Sequence, residues 1–214
     1  MAKQNPAIEL ILASSSPRRR ELLAEAGAKF RVVEPPGEEP TDLGEESPQR
    51  HAEAVAFFKA RSVAVMHPSA VVLGADTVVA VNGRILGKPI DAADARGMLE
   101  TLSGTRHQVI TGVALLGPLE RRVIRSDTTY VTMKPMSEQD IQGYIDSLEW
   151  QGKAGAYAIQ ETADRYIEKV EGSFSNVVGL PMELTLAMLE EAAGTPLSLK
   201  NNSATQRHRE KPQK

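Results

Sequence analysis

Leu10-Ile11-Leu12-Ala13-Ser14-Ser15-Ser16-Pro17-Arg18-Arg19-Arg20-Glu21-Leu22-Leu23 is the stretch on which the architecture of this chain turns. A short apolar run reads as a buried strand, and three serines break it. Pro17 then stands where a first helical residue belongs, with Ser16 as its N-cap. Leu22, Leu23 and Ala26 share one helical face, and Gly27 offers a C-cap. A strand, a tight hydroxyl-rich loop and a helix N-terminus bring unused backbone N–H groups and a positive dipole end to one spot. Arginines in a first turn oppose that dipole, and a bound anion, phosphate above all, would offset them. Taken alone, the stretch fits equally a solvated basic turn capping an ordinary helix.

Outward from there, Phe30 to Val33 reads as a second short strand, and Glu34 to Ser47 as a loop rich in proline and carboxylates. Pro48 opens a helix to about Met66, with Val55, Phe58 and Val65 in its buried stripe. Ala70 to Val81 is the most apolar run of the chain, as a central strand buried on both faces should be. Asn82-Gly83 is a hairpin turn returning through Arg84 to Leu86. Asp91 caps a helix from Ala92 to Leu102. His107–Leu116 and Arg121–Met133 alternate and meet at Gly117-Pro118, a second hairpin. Ser137 to Asp140 has capping-box character and starts a helix to about Ser147. Ala156 to Ile159 and Tyr166 to Val170 read as short strands, Gly172 to Asn176 as a turn, and Pro181 to about Ala193 as the last helix. With neither a repeat nor an interdomain linker, the pattern is one α/β unit on a mixed sheet. A polar lead over residues 1–7 and a polar, basic tail over 197–214 flank a domain over 8–196.

The 214 residues carry a net charge of −3, and 41% are apolar. Lys200, Arg207, Arg209, Lys211 and Lys214 against Glu210 give the tail +4, so residues 1–196 carry −7. An acidic body lacks the broad basic face of a nucleic-acid binder, so its cations must act locally. The absence of cysteine excludes disulfides, thiolate metal sites and a cysteine nucleophile. No apolar run reaches the ~20 residues of a membrane span, and the polar Met1 to Pro6 lack a signal peptide's apolar core. A cytoplasmic, soluble protein is the expectation.

Asp76 is the sharpest single signal. A carboxylate inside an apolar strand is costly unless it is paired, bound to metal or placed at a cleft. If it lacks a partner, Asp76→Asn should leave stability intact or raise it. A strand-end Asp serving a turn is the alternative. Lys88 sits between Gly87 and Pro89, a rigid setting for a phosphate-binding ammonium, though a surface lysine fits too. Gly83 to Pro89 is not a P-loop: three residues separate its glycines, and Pro89 replaces the required Ser or Thr. Glu38 and Glu39 lie in the acidic loop, where they are either solvated or ready for a cation. Gln160 could read a base edge or serve as a strand-end amide. His107 reads as a structural hydrogen-bonder, and the other histidines are too scattered for zinc. Together the pieces fit metal-assisted attack of water on a phosphoanhydride.

At six ordered blocks the chain resembles the Maf family of nucleoside triphosphate pyrophosphatases: Ser14 to Arg19, Gly74 to Thr77, Lys88-Pro89, Ser103 to His107, Lys153 to Gln160 and Asn176 to Pro181. The resemblance spans about residues 9–193. It implies a mixed, curved central sheet flanked by helices, with two lobes around a cleft as in ITPase-like proteins. It also implies cleavage between the α- and β-phosphates with Mg²⁺ or Mn²⁺, a homodimer, and a small-molecule nucleotide substrate. By position, Ser14, Arg18 and Arg19 would grip phosphate, Lys59 and Lys88 would hold the phosphate chain, and Glu39 would help bind the metal. Asp76 would be the general base. Thr77 and Gln160 resemble the specificity positions of the branch acting on dTTP and UTP. The 7-methyl-GTP branch typically has Ser-Asp-Gln where this chain has Ala75-Asp76-Thr77. Glu161 stands where Gly usually follows Gln160, and Pro35-Pro36-Gly37 before Glu38 and Glu39 is also atypical. The alternatives to a dTTP/UTP enzyme are a 7-methyl-GTP pyrophosphatase and a non-catalytic, nucleotide-binding regulator of septum formation.

Overall fold

The computed structural model describes residues 9–37, 39–40, 47–118, 121–160 and 162–193. The polar lead, the basic tail, Glu38 and Glu161 fall outside them. In chain order the elements are β1 (Leu10–Ala13), α1 (Pro17–Glu25), β2 (Arg31–Val33), α2 (Pro48–Ala64), β3 (Val71–Val81) and β4 (Arg84–Leu86). They continue with α3 (Ala92–Leu102), β5 (Arg106–Leu116), β6 (Arg122–Met133), α4 (Glu138–Asp146), β7 (Ile167–Glu171), α5 (Phe174–Val178) and α6 (Met182–Ala193).

One mixed seven-stranded sheet runs β2-β1-β3-β5-β6-β7, with β4 also on β3. β1 pairs in parallel with both β2 and β3, while the remaining pairings are antiparallel. The expected hairpin turn is present: Asn82 and Gly83 both have positive φ, as a two-residue type I′ turn requires. The helix starts follow their caps. Ser47 accepts from Arg50 N ahead of Pro48, Asp91 accepts from Asp94 N, and Ser137 with Asp140 completes a reciprocal capping box.

Alternation along β3 assigns its faces. At the β1 end, Leu73 and Ala75 pack with Leu12, Leu23, Val113 and Met188 beneath α1 and α6. On the opposite face Val72 packs with Ile11, Ala56, Ala60 and Val63 beneath α2. At the other end Val79 and Val81 join Leu99, Leu102, Val131, Ile141, Tyr144 and Trp150 in a core shared with α3 and α4. The two lobes are therefore two packing regions on one set of long strands. The α2 helix lies against backbone, because a Cβ at Gly74 would fall 2.5 Å from Ala56 O, and one at Gly112 would overlap Ala52 O.

Three sequence expectations are corrected. Val65 is not part of the buried stripe of α2: it is the C-cap just past the last helical turn and is 69% exposed, while the stripe runs Ala52, Val55, Ala56, Lys59, Ala60 and Val63. Ala156 to Ile159 is not a strand: a 3₁₀ turn at Ala154–Ala156, with positive φ at Gly155 and Ala156, is followed by an extended Tyr157 and then a turn at Ile159 and Gln160. The turn expected at Gly172 to Asn176 continues into α5, capped by Ser173 accepting from Asn176 N.

Candidate active site

β1 and β4 both pair with the same edge of β3, yet they do not meet. β1 ends at Ala13 opposite Gly74, and β4 ends at Leu86 opposite Val79. The edge from Ala75 to Val78 is therefore open to the loops that leave β1 and β4. Those loops carry Ser14 to Pro17 on one side and Gly87-Lys88 on the other. A cleft of about 730 Å³ opens there, and Ser14, Arg18, Arg19, Glu39, Lys59, Asp76, Thr77 and Lys88 all line it. Eight of the nine residues given a role by the family resemblance thus converge. Gln160 does not line the cleft; it is exposed in the turn after Ile159, which does.

Asp76 points to the α2 face of the sheet, where Lys59 meets it. Lys59 Nζ donates to Asp76 Oδ1 at 2.6 Å and lies 3.0 Å from Glu39 Oε1, while Lys88 Nζ is 3.6 Å from that same oxygen. Asp76 and the Lys59 ammonium are buried, Glu39 is half-exposed and Lys88 exposed. Burial pushes the Glu39 carboxyl up, but the Lys59 and Lys88 ammoniums outweigh it and hold the group below its ordinary value. Ser14 does not cap α1 directly: its Oγ accepts from Ser16 N at 3.1 Å and shapes the loop, while Ser16 makes no side-chain cap.

Arg19 reaches across the cleft to α5. Its Nε donates to Gly179 O at 2.8 Å and its Nη2 to Thr77 Oγ1 at 3.0 Å. Burial pushes this guanidinium down; Asp76 and Glu39 pull it up, while Arg18 pushes it further down. Arg18, Arg19, Lys59, Lys88 and Lys153 face Glu34, Glu39 and Asp76 around the cleft, an excess of positive charge suited to an anionic ligand.

The opposite wall includes part of the Lys153 to Gln160 block, to which the sequence assigns no role other than that of Gln160. Gln151 to Ala154, Tyr157 and Ile159 form a strap along the cleft. Gly155 N donates to Gly87 O at 3.0 Å, which ties the strap to the Lys88 loop. Only glycine fits there, since a Cβ would meet Val79 at 2.9 Å. Tyr157 is buried, with its hydroxyl 2.7 Å from His107 Nε2. Burial depresses His107 to about 4, so it is a neutral structural partner, as its sequence position implied.

Two carboxylates converging on one ammonium are a donor set for a hard divalent cation that draws its other ligands from phosphate and water. Asp76 and Glu39 fit that description. Among the described residues no group of three or more His, Asp or Glu side chains forms a cation cage.

A family model for Maf-like proteins matches residues 9–192. The chain belongs to the Maf family. Among relatives of this Maf protein, a dTTP/UTP pyrophosphatase of Symbiobacterium thermophilum is 48% identical, with 86% of this chain and 93% of the relative covered. A dTTP/UTP pyrophosphatase of Paramagnetospirillum magneticum is 47% identical, covering 85% of this chain and 95% of its own. Among solved structures, the Staphylococcus aureus Ham1 protein superposes with a TM-score of 0.50 over 86% of this Maf chain and 99% of its own, at 16% identity. That likeness is one of fold.

Proposed function

We propose that this Maf protein hydrolyses dTTP and UTP between the α- and β-phosphates, releasing the nucleoside monophosphate and pyrophosphate. The observation that carries the reading is the array at the open edge of β3. A buried carboxylate is fixed by one lysine, beside a second carboxylate and opposite two arginines of a helix N-terminus. The relatives' shared name supports the choice of nucleotide.

In this reading Ser14, Arg18 and Arg19 hold the phosphate chain from the α1 side, and Lys88 from the β4 side. Lys59 holds Asp76 Oδ1, which leaves Oδ2 to take the proton of the attacking water. The cations neutralise charge on the departing pyrophosphate. Asp76 and Glu39 would hold Mg²⁺ or Mn²⁺, which would supply further neutralisation of the phosphate oxygens. Gln160 reads the base only if a bound nucleotide reaches the turn beyond Ile159. The protein works as a homodimer in the cytoplasm, where its nucleotide substrates are. The test is a panel of nucleoside triphosphates, 7-methyl-GTP included, incubated with Mg²⁺ or Mn²⁺, with the products separated. Turnover of dTTP and UTP to monophosphate and pyrophosphate is expected; orthophosphate without pyrophosphate would overturn the assignment. Light scattering tests the dimer.

A further inference from the structure

Thr77 and Thr111 stand directly opposite each other on β3 and β5, so their side chains share one face of the sheet. Their hydroxyl oxygens are 2.9 Å apart. Thr77 Oγ1 already accepts from Arg19 Nη2 at 3.0 Å. Its own proton can go to Thr111 Oγ1, or to Gly179 O at 3.4 Å. Thr111 in turn donates to Asn176 O at 3.2 Å. The arrangement with the shorter bonds runs one way: Arg19 to Thr77, Thr77 to Thr111, Thr111 to the α5 carbonyl. Thr111 is fully buried, so its hydroxyl has to be satisfied inside the protein. Asn176 anchors the far end, donating from Nδ2 to Val109 O at 3.0 Å and to Thr129 Oγ1 at 2.9 Å.

We infer that Thr111 is a positioning residue for Arg19, acting through Thr77. A guanidinium has five N–H donors. Gly179 and Thr77 take two of them in fixed directions, which leaves three for phosphate with the plane already set. The Thr77 hydroxyl gives its one proton to Thr111 and one of its two lone pairs to Arg19, so the Thr111 bond sets the direction in which Arg19 finds its acceptor.

The inference deepens the proposed pyrophosphatase reading, and the experiment separates the two. Thr111→Val keeps shape and removes the hydroxyl, while Thr111→Ser restores it. Misplacing a phosphate-holding group costs rate steeply, so Thr111→Val should lower kcat/KM for dTTP by ~10–100-fold and Thr111→Ser should recover most of it. In an Arg19→Ala background the same Thr111→Val change should alter kcat/KM by no more than about twofold, because the coupled partner is gone. Thr77→Val, at a less buried position, should likewise lower kcat/KM for dTTP. Full activity of Thr111→Val, or an undiminished loss in the Arg19→Ala background, overturns the positioning role. If the wild-type protein hydrolyses no nucleotide, the pyrophosphatase reading falls by itself. Calorimetric titration with tripolyphosphate then decides the inference: it requires weaker binding by Thr111→Val than by wild type, and any other result rejects it.

Discussion

Asp76 and Lys59 define what a single residue does here. A carboxylate buried without a partner would be relieved by Asp76→Asn, but Asp76 accepts a 2.6 Å bond from a buried ammonium. Removing its charge leaves Lys59 with the half-exposed Glu39 alone, and breaking a buried charged hydrogen bond costs about 1–3 kcal/mol. Asp76→Asn is therefore expected to lower the melting temperature as well as turnover, the latter by roughly 10²–10⁴-fold. The double change Asp76→Asn with Lys59→Met removes both charges, so it should regain stability while staying inactive. Thermal melts and nucleotide turnover on the three proteins check this; a single variant more stable than wild type would show the pair to be a net burden. Asp76 was legible in the sequence because charge inside a β-rich apolar run breaks a local rule. Its partner was not. Lys59, the only lysine of α2, lies on another element; its spacing from Val55 and Val63 puts it in the buried stripe, but nothing local says that a lysine there meets a carboxylate of the sheet.

At the scale of elements, α2 sets the depth of the site because it rests on two glycines of the sheet. Gly112→Ala would drive a methyl group into the Ala52 backbone, and Gly74→Ala would do the same at Ala56. Each should destabilise by on the order of 3 kcal/mol, the upper end for overpacking, and shift Lys59 from Asp76. Gly143 of α4 has open space around its missing Cβ, so Gly143→Ala should stabilise by about 0.5–1 kcal/mol. Urea unfolding of these variants tests the opposite signs. Most elements could be read in advance, because caps and alternation announce them. The misread segments have separate causes: α5 is too short to show a helical period, the apolar strap gets its shape from positive φ at Gly155 and Ala156, and the stripe of α2 ends before Val65 because the helix does. The open edge of β3 was invisible to sequence, since it depends on β1 and β4 choosing the same side of one strand.

For the whole molecule, acid stability should report on His107. Its folded value of about 4 lies below the ordinary 6.5, so between those values the unfolded chain binds a proton that the folded protein does not. This contribution is complete above pH 6.5, is lost as the pH falls towards 4, and amounts to on the order of 3 kcal/mol. Glu39, held below its ordinary value, adds a loss that begins only in the acid range below 4.5. Unfolding free energies measured from pH 4 to 7 should slope less in His107→Gln than in wild type. Parallel slopes would mean that His107 is solvated and titrates normally.

The β5–β6 ladder pairs without a break from Arg106 opposite Thr132 to Leu116 opposite Arg122, and β3 is laddered to β5 from Val72 to Ala80. Both packing regions are bolted to these same strands, so the sheet is a beam under the cleft and not a hinge between two jaws. Bending it would break several ladder bonds at once, which ordinary ligand binding does not supply. The distance across the open edge of β3 is therefore a gauge of constant width, machined by backbone. Ligands are measured against it, and only the strap and the loops at its rim can yield.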